Sequence, residues 1–272
     1  MIERFNFKAT LPIFSILWAA PLSLTHWEIV PAIVLYLSIF IGFFCLRAVD
    51  DINSIEVDRI SHPERGLVSG RIDSAKLTQA VWLMIAFIVL INYFLGNVLA
   101  IIVIVLYYSL FFRFENKLPL LLKPFLSNIA FGYIAIYSSY VVEGYISSAQ
   151  VLLALFLWVS VIAHDYAHSL HADNIDTQGI QTYSKRLGAR TSAIVSLIGY
   201  LVACILGAIF WLIANQPALF LIMLVLSTLY ILYLEIQLIK KPSSERAVKF
   251  YINGFLFFLL PCLGLIIDHI LI

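Results

Sequence analysis

The chain has 272 residues, 62% of them hydrophobic and only 12% charged, with a formal net charge of +1 and a mean hydropathy of +0.98. Such values lie far outside the soluble range and mark an integral membrane protein, expected as a single polytopic domain over residues 1–272. A near-neutral total says nothing about partners until one asks where the charges lie, because in a membrane protein the distribution of Lys and Arg carries the information; no nucleic-acid partner is expected.

In chain order, apolar runs of about 20 residues, the length that spans a bilayer, can be cut at polar breaks into nine segments. They centre near residues 17, 38, 84, 105, 132, 160, 201, 227 and 259. The expected fold is therefore an all-α bundle of nine transmembrane helices. The N-terminal "MIERFNFKAT" carries an acid in its charged region and is followed by no small-residue cleavage site, so it reads as the start of a first helix. Cys45, Cys204 and Cys262 each stand alone in an apolar run, which gives no disulfide framework and no thiolate metal spacing.

The breaks after segments one, three, five and seven ("THWE", "GN", "VEGYISSAQ", "ANQP") contain no Lys or Arg. All 17 basic residues fall in the N-terminal tail or at the alternate connections. By the positive-inside rule that face is cytoplasmic, with the N-terminus on the same side. Orientation alone accounts for Arg4, Lys8, Lys240, Lys241 and Lys249. The loops after segments two and six are different: they are the longest, and they mix acids with bases.

After segment two comes "VDDINSIEVDRISHPERGLVSG", Val49 to Gly70. If the helix runs on, successive residues turn by about 100°, and Asp50, Asp51, Ser54 and Asp58 share one face while Glu56 points away. Segment six runs without a turn into "HDYAHSLHADNID", His164 to Asp176, where the same turn places Asp165, Asp173 and Asp176 together and Gly179 closes the helix. Six carboxylates at two helix ends on one membrane face repel one another unless something positive holds them. Hard oxygen ligands suit Mg²⁺, which binds through carboxylates together with substrate phosphates. The intervening arginines suit bidentate recognition of a diphosphate. His164, His168 and His171 share a face of the same helix; one HxxxH is too few ligands for an imidazole metal site, so they are read as lining a cavity or bonding to the neighbouring Asp residues.

At this point the residues resemble the UbiA family of intramembrane prenyltransferases. Its first motif, Asn-Asp-x-x-Asp-x-x-x-Asp followed by an arginine-bearing stretch, is matched in frame by "DDINSIEVDRISHPERGLVSGRI", Asp50 to Ile72. "GIQTYSKRLG", Gly179 to Gly188, is similar to a segment of the homogentisate and related branches, and "YSLFFR" with Lys117 and Lys123 is similar to the family's stretch after the fourth helix. Two departures stand out: position 54 is Ser where the family has a metal-binding Asp, and the acids at 165, 173 and 176 depart from the usual Asp-x-x-x-Asp frame.

The resemblance implies a UbiA-like bundle around a central cavity. It also implies Mg²⁺-dependent transfer of a prenyl group from an isoprenyl diphosphate to a small, aromatic or lipid acceptor within the membrane. Asp50, Asp51, Asp58, Asp173 and Asp176, with Asp165, would then hold Mg²⁺, and Arg65, Lys117, Lys185 and Arg186 the diphosphate. Ser54, Tyr108 and His168 are further cavity candidates. Two rivals remain at this stage: a cyclase that acts on a prenyl diphosphate alone, and a lipid-binding or transport protein, the second motivated by Ser54.

Overall fold

The computed structural model describes residues 7–26, 28–172 and 183–271. In hydrocarbon every backbone N–H and C=O must find a partner within its own segment, which leaves the helix as the solution for a single apolar run. The described chain follows that rule, with thirteen helices and no strand among the described residues. They are α1 (Phe7–Leu22), α2 (Ile29–Asn53), α3 (Ile55–Ser61), α4 (Ser74–Phe94), α5 (Val98–Phe114), α6 (Lys123–Ser127), α7 (Ile129–Glu143), α8 (Ser148–Ala172), α9 (Tyr183–Leu187), α10 (Ala189–Ile213), α11 (Ala218–Lys240), α12 (Ser244–Gly254) and α13 (Leu256–Leu271). Short 3-10 turns at Glu115–Lys117 and Leu120–Leu122 lead from α5 into α6.

Among the described residues, eight helical stretches are long and apolar enough to cross a membrane, two of them composite: Leu120–Glu143, which joins α6 to α7, and Glu245–Leu271, which joins α12 to α13. The remaining apolar helix, α1, has 16 residues and reaches only about 24 Å, short of a hydrocarbon core of about 30 Å. The nine expected segments thus resolve into eight full-length spans and one shorter first helix. Their ends are set by local chemistry. The Asp73 carboxylate caps α4, accepting from the Ala75 and Lys76 amides at 2.8 and 3.3 Å. Gly96, at φ +75°, makes the left-handed turn that sends α5 back alongside α4.

The spans divide into two halves. On one side α8, α10, α11 and α13 pack closely around Phe156, Phe210, Phe220 and Phe257, all fully buried. A Cβ on Gly199 of α10 would lie 2.8 Å from the Ala163 Cβ of α8. In a bilayer, where helix association rests on close van der Waals contact, such small-residue crossings let backbones approach. On the other side α2, α4, α5 and α7 stand further apart and enclose a cavity. The alternation of the spans brings the helix ends that carry Arg47, Arg113, Lys185 and Lys240 to one side, hereafter the basic end.

Candidate functional site

The acidic end of α2 is organised by a residue that the motif did not single out. Arg47 forks along its own helix: Nη1 meets Asp50 Oδ2 at 3.1 Å and Nη2 meets Asp51 Oδ1 at 3.0 Å. The i,i+3 and i,i+4 spacings make those three side chains neighbours on one face. The helix does not continue unbroken as the sequence suggested. It ends at Asn53, Ser54 takes φ −91° and ψ 1°, and α3 starts at Ile55. The ladder survives the joint, with Ser54 N–H donating to Asp50 O at 2.9 Å and Asp58 N–H to Ser54 O at 2.8 Å, so Ser54 sits between the carboxylates of Asp50 and Asp58 along the chain. Glu56 faces outward in a pair with Arg59 at 3.1 Å.

Asp58 is buried, 6% exposed, and is held in an ion pair by Arg65. The loop that returns Arg65 is compact: Arg65 N–H donates to His62 O at 3.1 Å, Ser69 N–H to Arg65 O at 2.8 Å and Ile72 N–H to Gly66 O at 2.9 Å. A guanidinium anchored this way keeps one edge against the carboxylate while its remaining donors lie at the basic end, the arrangement that suits a second anionic group.

Across from α2, α8 contributes Asp165, half-buried near its basic end, with Oδ2 accepting from Asn128 Nδ2 at 3.1 Å. Asn128 sits where α6 meets α7 and also donates to Pro124 O at 2.9 Å, so the carboxylate is oriented by a fixed amide. Asp50 lies within electrostatic range of both Asp165 and Glu115, and Glu115 pairs with Lys123 at 3.8 Å. Tyr251 of α12 lies within electrostatic range of Arg47 and Asp165 and stacks on His164, ring centroids 5.2 Å apart. Tyr183 of α9 packs on Tyr166; burial foremost, and Asp165 next, push its phenol up. The basic ends of α2, α6 to α9 and α12 therefore converge on one charged site.

The other sequence candidates are dispersed around this centre. Lys117 is exposed, its ammonium over the Phe114 ring at 5.7 Å, and Lys185 and Arg186 are exposed on α9. Tyr108 is buried, and backbone groups take up its hydroxyl: it donates to Ser127 O at 2.8 Å and accepts from the Ala130 amide at 3.0 Å. Its ring lines the cavity and its hydroxyl splices α5 to the start of α7. His168 lies on α8; Asp173, Asp176 and Gly179 lie outside the described residues.

Apart from this charged site, a cavity runs between α2, α4, α5 and α7. Its volume is about 530 Å³, and its wall is formed mainly by Ile, Val, Leu and Phe. Asn53 and Val49 border it at the basic end, and none of the acidic residues of the charged site lines it. Trp82 of α4 with Ser109 and Arg113 of α5 also border it, all three exposed and Trp82 by 60%.

The donors of the charged site are carboxylate oxygens, the ligand set that Mg²⁺ prefers. Among the described residues no three acidic, His or Cys side chains close into a metal cage. Asp50, Asp51 and Asp165 are the described members of the two acidic motifs at this end; Mg²⁺ keeps waters and takes phosphate oxygens, so it does not require a cage made wholly of protein.

Comparison with known proteins agrees with this geometry. A family model described as the UbiA prenyltransferase family matches residues 9–260. A digeranylgeranylglyceryl phosphate synthase of Methanobrevibacter smithii is 24% identical over 230 residues, 81% of this chain and 80% of that one. Two solved structures share the fold, each with a TM-score of 0.75. One comes from a study of digeranylgeranylglyceryl phosphate synthase in membranes, at 18% identity and covering 97% of this chain and 94% of the other. The second is the apo form of a UbiA homolog from Aeropyrum pernix K1, at 17% identity and covering 95% and 98%.

Proposed function

From the premise that the chain belongs to the UbiA prenyltransferase family, we propose that it moves a prenyl group from an isoprenyl diphosphate to a small acceptor inside the membrane, in a Mg²⁺-dependent reaction. The observation that carries this reading is the presence, in one membrane bundle, of a charged site at the basic end and an apolar cavity of about 530 Å³ that reaches the same end. A prenyl diphosphate has the same division, a highly charged head on an apolar tail.

Each part of the site has a task in that chemistry. Arg65, with Lys117, Lys185 and Arg186 from the surrounding loops, binds the diphosphate and fixes its orientation. Asp50, Asp51 and Asp165 would hold the metal, with Asp173 and Asp176 assigned to the same task from their motif, while Asp58, first read as a further ligand, is buried against Arg65 and orients that guanidinium. Mg²⁺, when bound, offsets the charge that develops on the departing diphosphate. The allylic C–O bond breaks with its electron pair staying on the diphosphate; the acceptor supplies the pair for the new bond to that carbon and releases a proton. The apolar interior of the bundle excludes water from the allylic cation. By the positive-inside rule the head site faces the cytoplasm.

The Methanobrevibacter relative, a digeranylgeranylglyceryl phosphate synthase, favours a glyceryl phosphate lipid over an aromatic acceptor, and both belong in the assay. Membranes containing the protein are incubated with farnesyl or geranylgeranyl diphosphate and Mg²⁺, with a glyceryl phosphate lipid, with an aromatic acid or with no acceptor. Prenylated lipid and released diphosphate are expected in the first arm, and both should fall by about 10²–10³-fold in Asp51→Ala and Asp58→Ala, the usual cost of losing a charge-stabilising group. Wild-type turnover in both variants would sink the reading; product from the donor alone would assign a cyclase.

A further inference from the structure

We propose that Arg47 is a placeholder for the metal: its guanidinium neutralises Asp50 and Asp51 while the charged site is empty, and it turns to the diphosphate when the two carboxylates take Mg²⁺. The inference rests on the prenyltransferase reading, in which Asp50 and Asp51 hold the metal. It goes beyond that reading to a coupling between metal and diphosphate and to the residue that supplies it.

The charged site contains two arginine–carboxylate arrangements of different character. In the first, Asp58 and Arg65 are packed away from water, their side chains 9% and 20% exposed. A pair that dry is held in place, because parting it leaves a buried charge uncompensated. The second is open. Arg47 reaches Asp50 Oδ2 at 3.1 Å and Asp51 Oδ1 at 3.0 Å, with side-chain exposures of 38%, 44% and 21% for the three residues. Ion pairs in contact with water contribute little to stability, so it is the second arrangement that can part readily.

Two further features set Arg47 apart from a residue that only stabilises its own helix. The favourable order of an i,i+4 pair is acid before base, whereas Arg47 precedes both acids. Its Nε is buried and makes no hydrogen bond among the described residues, although a guanidinium has donors on all three nitrogens. The resting fork therefore leaves donor capacity unused at the end of the bundle where the proposed substrate brings anionic oxygens.

The exchange follows from the charges. Adjacent carboxylates repel each other unless a positive group lies near both, and in the empty site Arg47 is such a group. A divalent cation on the same two carboxylates meets like-charge repulsion from a guanidinium bonded to them. Once displaced, Arg47 remains one helical turn from both acids, beside the phosphate oxygens that complete a Mg²⁺ shell, and its planar fork is suited to bind such oxygens bidentately. Metal alone must displace the arginine with no anion to receive it, whereas metal arriving with diphosphate gives it a new partner. Each ligand thus favours the other, and the coupling is reciprocal.

The test reads metal binding, not turnover. Mg²⁺ is titrated calorimetrically into the detergent-solubilised protein, alone and with a saturating thiolodiphosphate analogue of geranylgeranyl diphosphate, whose C–S bond resists cleavage. For the wild type, the analogue should lower the Kd for Mg²⁺ at least tenfold, within the range of roughly 5–150-fold typical of coupled sites. Arg47→Gln should bind Mg²⁺ alone at least fivefold more tightly than the wild type and lose at least fivefold of the coupling. Arg47→Lys keeps the charge but gives up the fork, and should bind Mg²⁺ alone at least threefold more tightly; it decides alone if Arg47→Gln does not fold. Lys241→Gln, which removes an exposed charge elsewhere at the basic end, should match the wild type. An unchanged or weaker affinity for Mg²⁺ alone in Arg47→Gln would overturn the proposal. So would an Arg47→Lys equal to the wild type, or a Lys241→Gln as tight as Arg47→Gln, because the arginine would then act through its field alone. If the wild type binds no Mg²⁺ even with the analogue, the metal assignment of the prenyltransferase reading fails and this proposal falls with it. Turnover of a prenyl diphosphate by the wild type, together with unchanged coupling in Arg47→Gln, would overturn this proposal and leave that reading standing.

Discussion

Ser54 is the residue at which this head site departs from the motif it otherwise follows. It is half-buried at the joint of α2 and α3, between Asp50 and Asp58, and its side chain makes no cap bond to either helix. A hydroxyl is a weaker ligand for a hard cation than a carboxylate, so in the proposed reaction Mg²⁺ would lean more heavily on Asp50, Asp51 and the substrate's own phosphates. Aspartate is also well suited to the position that precedes a helix, so Ser54→Asp is expected to fold normally. It should lower the Mg²⁺ concentration for half-maximal diphosphate release several-fold, read by titrating Mg²⁺ at fixed donor. An unchanged Mg²⁺ requirement would place Ser54 outside the metal's reach. Arg47 shows the complementary lesson. Its spacing to Asp50 and Asp51 was visible in the sequence, yet a basic residue at a membrane edge has so general an explanation in orientation that only the 3.0–3.1 Å contacts distinguish it.

At the scale of elements, what the sequence made legible was whatever repeats along one helix. The clusters at the ends of α2 and α8, and the confinement of Lys and Arg to alternate connections, follow from the helical turn and from span alternation. What joins different helices was not legible. Asn128 meets Asp165 across 37 positions, and Asn92 meets Ser38 across 54; neither pair leaves a period in the sequence. The same holds for the close approach of α8 and α10, where Gly199 faces Ala163 with no room for another carbon. Overpacking at such a crossing costs about 1–3 kcal/mol. Gly199→Val should therefore lower the thermal midpoint of the detergent-solubilised protein, whereas Leu212→Ala, at a position 70% exposed on the same helix, should change stability by no more than about 0.5 kcal/mol. Equal midpoints for the two variants would mean that α8 and α10 move apart without loss.

At the scale of the whole molecule, the two halves of the proposed donor need different surroundings. The diphosphate needs water and cations, which the basic end offers. The tail needs an apolar route, which a bundle of membrane-spanning helices supplies, so that a tail already in the bilayer has no polar layer to cross. This arrangement works only if the basic end faces the compartment where soluble prenyl diphosphate and Mg²⁺ are found, so membrane orientation is part of the mechanism. From the charge pattern we infer that this compartment is the cytoplasm. Tyr145, 59% exposed in the turn between α7 and α8, lies at the end that carries no Lys or Arg, and Lys241, exposed between α11 and α12, lies at the basic end. With Cys45, Cys204 and Cys262 replaced, Tyr145→Cys should react with a membrane-impermeant maleimide in intact cells, and Lys241→Cys only after permeabilisation. The reverse pattern would place the head site on the outer face, and a donor made in the cytoplasm would then have no direct access to it.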